Sequence, residues 1–523
     1  MAAGWASRLP TVVASINVSV TMAPAWNLTA QNWSTLTSSV ARSRVCCQML
    51  PCACPSFEGQ YMHVLILSLW QHVQKLVLHA GSPRGFNPPA DVPAAADRIG
   101  AVYVMTNDLE NNEIAVFGRM ADGTLYSVGN YATGGAGSTE FDGAEGLDPL
   151  ISADSVVVTA DEKYLITVNA GSDSISSFAI QADYSLELIS TVPSGGVGPN
   201  SLAVMNGLVF VTNIDRDGFA FGDESTPRAE PNDEGSVVGF RLSESGELSP
   251  TDYYAELDNR PANVGFSANG DRLIVSSITS GSAVLPGANA EASIYSFILR
   301  SGNLQLADTA TSTLRGNSEG RNLPSAIDFD ISVQGGREFI VVTEAREFNS
   351  EGAPPAFPAL QAGSVSVYEL NQDSSLSITT SDLATGDPTT QNVFGADGQQ
   401  LTACWIDFAS DGRTFYVSNA VSATISTFRL NGDGTVETVE AVAAAGSSAF
   451  ETPGEEIDGP TAFGRTDGFI DLDVSPDGSQ LYVLAGLSGS VYVYDVASDY
   501  TLSLSQVFEG ELPEVDTQGL VSI

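Results

Sequence analysis

The sequence predicts an all-β fold, a seven-bladed β-propeller of four-stranded blades, on three observations. An apolar strand ending near asparagine recurs seven times. An alternating strand ending in an aromatic residue follows each copy. No helical periodicity of useful length interrupts them.

The recurring strand, second in each blade, reads VYVMTN, YLITVN, LVFVTN, RLIVSS, FIVVTE, TFYVSN and QLYVLA. Its last residues are Asn107, Asn169, Asn213, Ser277, Glu344, Asn419 and Ala485, so the spacings are 62, 44, 64, 67, 75 and 66 residues. The shortest equals one bare four-stranded blade, and the others require loop insertions. The third strand reads EIAVFGRM, SISSFAI, SVVGFRL, SIYSFIL, SVSVYEL, TISTFRL and SVYVYDV, followed by turns such as ADGT, ESGE and GDGT. The first strand precedes copies two to seven, as in NSLAVMNG and FIDLDVSPDGS. Copy one lacks it, and the closing TQGLVSI supplies a spare strand of that type. Adding that strand to the N-terminal blade closes the ring and removes its sheet edges. The propeller is therefore placed at 97–523, after a leader at 1–96.

Composition sets outer bounds. The chain has 523 residues, 43% of them hydrophobic, enough for a large core. Its net charge of −42 argues against nucleic acid and anionic membranes as partners. The leader holds five basic and two acidic residues, so the propeller holds 16 basic against 61 acidic, with Lys163 its only lysine. Such a surface suits a saline or extracellular setting, and an exported monomer is expected. The alternative is organelle targeting, because residues 1–57 carry three arginines and no acid, like a transit peptide. The apolar run 61–70 is too short to span a bilayer. Cys46, Cys47, Cys52 and Cys54 lack the spacing of a zinc site, and all three sequons (Asn17, Asn27, Asn32) fall in the leader. Cys404 stands alone in the propeller and reads as a small buried residue.

The strand LVFVTN and its cousins resemble the YVTN repeat, and FIDLDVSPDGSQLYV follows that family's turn. Together with ACWIDFASDGR and VTEA, they make residues 99–523 similar to the seven-bladed lactonase-type propellers. That group includes bacterial 6-phosphogluconolactonase and fungal 3-carboxymuconate cyclase. The resemblance implies hydrolysis or cycloisomerisation of a sugar-acid or muconate-type lactone. Enzymes of the group use a histidine, with arginines and a glutamate, around the channel mouth. Here His63, His72 and His79 all precede the propeller, and Asn200 stands in GPNSLAV where such enzymes often carry histidine. A non-catalytic propeller binding a ligand, glycan or protein is the competing reading.

Function is expected on the face that carries the long insertions, which join strands two to three and strand four to the next blade. The opposite face has tight turns such as SANGDR and SPDGSQ. Seven arginines fall in the insertions: Arg216, Arg228, Arg260, Arg315, Arg321, Arg346 and Arg465. Arg260 and Arg321 each sit just before an inner strand and are the candidate clamps for a small anion, with loop acids as their competing partners. Glu344 replaces asparagine at a strand end and is the candidate general base, with Arg346 orienting it. A structural ion pair is the alternative. Asn200 and Asn213 complete the candidate substrate-binding set, and turn capping is the other role open to Asn213, as to Asn169 and Asn419. Asp328, Asp407 and Asp471 are read as sharing one position in three adjacent inner strands, as part of the repeat's I-D-F/L phrase rather than a metal ring. No metal or cofactor is expected.

Overall fold

The computed structural model describes residues 97–138, 148–214, 235–278, 293–311, 325–347, 361–386, 403–420, 422–446, 467–513 and 516–523. The leader lies outside them, as do Arg216, Arg228, Arg315, Arg321 and Arg465.

Among the described residues, twenty-eight strands, β1–β28 in chain order, form seven four-stranded antiparallel sheets. Six sheets are built from consecutive strands. The seventh runs β28(Gln518–Ser522), β1(Arg98–Met105), β2(Glu113–Met120), β3(Leu125–Ala132). The closure expected from TQGLVSI is therefore present, and this sheet is blade 1. The inner strands of blades 2 to 7 are β4(Val156–Val158), β8(Pro199–Met205), β12(Arg260–Phe266), β16(Ser325–Gln334), β20(Ala403–Phe408) and β24(Phe469–Val474).

The repeat's aromatic residue explains how the sheets pack. Phe117, Phe178, Phe240, Phe297, Tyr368, Phe428 and Tyr494 are all buried, one from the third strand of every blade. Each contributes about 2–3 kcal/mol by leaving water. The outer strands alternate between exposed and half-buried, as in β11(Leu248–Glu256). Turns between strands three and four are fixed by a short aspartate bond: Asp122, Asp183, Asp373, Asp433 and Asp499 each accept from the hydroxyl two residues on.

Six inner strands share one irregularity near their loop-face ends, a register shift against the second strand. The extra residues include Gly519, Asn200, Ala262, Cys404 and Asp471. Gly519 has φ +81°, and a Cβ there would lie 2.2 Å from Ser155 Oγ. These bulges ring the channel and re-aim the side chains that line it.

The last residue of the second strand forms a buried clasp with the third strand. Asn169 Nδ2 donates to Ser176 Oγ at 2.8 Å, and its Oδ1 accepts from Asn112 at 3.0 Å. Asn419 Nδ2 donates to Ser426 Oγ at 2.9 Å. In blade 3 the residue at the Ser176 position is Val238, and neither amide atom of Asn213 has a partner among the described residues. Asn169→Ala is therefore expected to cost about 2–3 kcal/mol and Asn213→Ala less than about 1 kcal/mol. Urea unfolding of the two variants checks this; equal losses would contradict it.

Candidate functional site at the channel

The inner strands converge on a central channel, and the loop-face mouth of that channel is crossed by the chain itself. Residues 148–152 lead into blade 2 and reach four other blades. Arg260 Nη2, from blade 4, donates to Leu150 O at 2.9 Å. Trp405 Nε1, from blade 6, and Gln518 Nε2, from blade 1, donate to Ser152 O at 3.1 and 2.9 Å. Ser152 Oγ donates to Asn200 O, in blade 3, at 2.8 Å. Leu150 and Ser152 are fully buried and Ile151 nearly so. Lifting this strap breaks four hydrogen bonds and exposes two aliphatic side chains, on the order of 8 kcal/mol. An open fraction near one in a million follows, so the strap is a permanent closure rather than a lid.

This geometry explains two of the residues singled out from sequence. Arg260 is buried beneath the strap and holds it. Asn200 is buried, donates to Pro261 O at 2.8 Å and accepts from Thr212 Oγ1 at 2.8 Å. Both are joined to the closure. Glu344 is not beside them. It lies in β17(Arg337–Glu347), fully buried, and Oε2 accepts from Ser364 Oγ at 2.9 Å and Ser366 Oγ at 3.0 Å. It thus fills the clasp that asparagine fills in blades 2 and 6. Arg346 follows on the same strand, its side chain outside the described residues, and Arg321 lies outside them altogether. Asn213 stands at the equivalent strand end of blade 3, where Val238 replaces the serine of the clasp.

Below the strap the channel is lined by carboxyl groups. The alignment of Asp328, Asp407 and Asp471 at one level is corrected here. Asp330 pairs with Val341, Asp407 with Tyr416 and Asp473 with Tyr482, each three residues before the strand-end position. These three share a level, and Asp328 and Asp471 sit one step nearer the strap. The bulge of blade 6 falls at Cys404, before its aspartate, which displaces Asp407 from the other two.

Most of these carboxylates clip one blade to the next. Asp328 Oδ2 accepts from Ile406 N at 2.9 Å, Asp407 Oδ2 from Val474 N at 2.6 Å and Asp471 Oδ2 from Leu520 N at 2.7 Å. Asp473 Oδ2 accepts from Ser522 N at 2.7 Å. Burial raises every one of them above the usual carboxylate range, and their neighbours' charges add to it. Asp330 and Asp473 are each pushed up to about 6. Among the described residues, no group of carboxylate, histidine or cysteine ligands has the geometry to hold a metal. Cys404 is buried, and burial first, then Asp148 and Asp328, raises its thiol well above its ordinary value.

Asp154 differs from the rest. It is exposed, yet protein surrounds it, so the water that reaches it is confined to the channel. Its backbone is left-handed, φ +54°. Burial, then the Asp330 charge, pushes its carboxyl up to about 7, and a hydrogen bond with the Asn263 amide opposes the rise. Asn263 is fixed in turn: its Oδ1 accepts from Ser201 Oγ at 3.0 Å, and its Nδ2 also serves Asp328. Sequence reasoning missed both residues. The only signal was an acid placed just before an inner strand, in ISADSV.

The route by which water enters is legible in the burial of the inner strands. Their loop-face ends are buried, and their last two residues are half-buried in β4, β8, β12, β20 and β24. Among the described residues, the inner strands are thus more buried beneath the strap than toward the tight-turn face.

Residues 100–218 match the family model "Lactonase, 7-bladed beta-propeller". The chain is a seven-bladed β-propeller, and this stretch of it resembles that family. Among solved structures it is similar to candidate 6-phosphogluconolactonases from Bacteroides fragilis and Bacteroides uniformis. The first is 14% identical, with 83% of this chain and 100% of that chain covered and a TM-score of 0.50. The second is 15% identical, with 81% and 99% covered and a TM-score of 0.50. A hypothetical selenium-binding protein from Sulfolobus tokodaii is 11% identical, with 82% and 94% covered and a TM-score of 0.52. At these identities the likeness is one of fold, and propellers host many chemistries. No curated protein matches the chain. No helix among the described residues is long and apolar enough to cross a membrane.

Proposed function

We propose that this propeller opens lactone rings inside its channel, with Asp154 activating the attacking water. The observation that carries the reading is Asp154 itself: a water-accessible carboxyl, raised to about 7, in a propeller segment without histidine. A base with a pKa near the working pH is what acyl hydrolysis requires. Water adds to the lactone carbonyl as its proton passes to Asp154. The ring acyl–oxygen bond then breaks, and the proton returns to the departing alkoxide. The side-chain amide of Asn263, which serves Asp154 and Asp328, is the donor proposed for the oxyanion. Asn263 orients both groups.

The reading moves the chemistry from the loop face to the channel. Glu344 and Arg346, with Arg321 as the anion clamp, remain the proposal for a loop-face site. The strap favours a second reading, a binding propeller that does no chemistry, because it commits Arg260 and Asn200 to closure.

Hydrolysis of a lactone panel by the full chain, followed by pH-stat and corrected for spontaneous opening, tests all three. On the channel reading Asp154→Asn lowers kcat at least about 100-fold. Glu344→Gln and Arg321→Ala then leave kcat within about threefold. The opposite pattern moves the site to the loop face. No turnover of any lactone leaves the binding reading.

A further inference from the structure

Two features of the channel bear on what it admits. Among the described residues the loop-face mouth is crossed by the buried Leu150, Ile151 and Ser152, which leaves the tight-turn face as the approach to Asp154. Along that route it passes Asp330, Asp407 and Asp473, one level of carboxyls contributed by three adjacent blades. Among the described residues two cations bear on the channel, and both are committed: Arg119 Nη2 pairs with Asp477 at 2.7 Å and its Nη1 donates to Ile523 O at 3.1 Å, and Arg260 Nη2 donates to Leu150 O at 2.9 Å.

We infer that the substrate is an uncharged lactone, which enters from the tight-turn face and leaves as an anion. The inference rests on the channel reading above and adds the substrate class. A neutral ring crosses the acidic level without Coulomb cost. A phosphate or carboxylate held within several ångströms of these groups, in confined water, is repelled strongly. Ring opening converts a neutral ester into a hydroxy acid, which ionises well below neutral pH. The same carboxyls that admit the substrate therefore expel the product, and product inhibition is weak. The selection is by field rather than fit, so it responds to salt and to the charge of the lining, although Asp330 and Asp473 also help to raise the Asp154 base.

The test compares glucono-1,5-lactone with its 6-phosphate on the full chain at about pH 6.5. The expected kcat/KM for the neutral lactone exceeds that for the phosphate at least about 100-fold in low salt. The ratio narrows in 0.5 M NaCl, where KM carries the change, and in the Asp330→Asn, Asp473→Asn double variant, where the ratio is the readout because any shift of the Asp154 base acts on both lactones alike. Asparagine keeps an oxygen to accept from Ser522 N, so the clip to blade 1 survives in that variant. Turnover of both lactones at similar efficiency, or preference for the phosphate, overturns the inference and leaves the lactone reading standing. Turnover of neither removes both.

Discussion

A chain shortened to end at residue 516 is expected to be unfolded or insoluble, although it loses only seven residues. Those residues are the inner strand of blade 1, and almost every atom of that strand is occupied. Ile523 exchanges backbone bonds with Ala101 at 2.9 and 3.1 Å. Val102, Tyr103 and Val104 pair with Ser522, Val521 and Leu520. Leu520 and Ile523 are buried. The deletion also orphans groups that stay behind. Asp471 and Asp473 lose the amides of Leu520 and Ser522, and buried Arg119 loses the carbonyl of Ile523. Lost bonds, lost apolar burial and stranded polar groups together amount to on the order of 10 kcal/mol. That equals the whole stability of a typical domain. The cut also leaves β1 as an open edge ready to pair with another chain. Soluble yield and a circular-dichroism melt check the expectation. A truncated chain that melts within about 5 °C of the intact one would show that the ring closes without its last strand. The milder Ser522→Ala, which removes one hydroxyl bond to Asp473, is expected to cost about 1 kcal/mol.

The blades were legible in the sequence because the repeat is written in side-chain chemistry. The apolar second strand, the aromatic of the third and the turn aspartates each satisfy a local need, so the first two recur at every blade and the aspartate at five of the seven. Even Glu344 stood out for a real reason, since it takes the place of asparagine in a clasp. The channel was less legible because it depends on bulges. One extra residue in β20 falls at Cys404, and that single step separates Asp407 from Asp328 and Asp471, although all three sit in the same phrase. The strap was hidden for another reason. Leu150 and Ser152 are engaged through their carbonyls, and a carbonyl has no residue type. Arg260 and Trp405 gave no sign in sequence that their partners lie 110 and 253 residues away.

The second large expectation concerns pH. The thermal midpoint is expected to be highest near pH 4–5 and to fall as pH rises toward 8. Asp154 sits at about 7, and Asp330 and Asp473 at about 6, against an ordinary value of 3.8. The folded chain therefore binds more protons than the unfolded one between about pH 4 and 7. Stability from these groups is full below the unfolded value and is lost as pH rises through the folded ones. Below pH 4 the opposite class takes over. At Asp477 burial is outweighed by the hydroxyls of Ser479 and Ser475 and the Arg119 guanidinium, which hold it at about 2, so its contribution fades in strong acid. The maximum is thus displaced to the acid side of the usual range. General repulsion in a chain of net charge −42 acts in the same direction, but half-molar salt screens it, whereas the confined carboxyls are screened much less. Calorimetry at pH 5 and 7.5 in 0.5 M NaCl should show a difference on the order of 5 °C. Replacing Asp330 and Asp473 together by asparagine should remove about half of it, since an amide has no proton to lose in that window. A midpoint at pH 7.5 equal to or above that at pH 5 would mean that the channel carboxylates are solvated or paired with cations. An acidic field that excludes anions would then have no source.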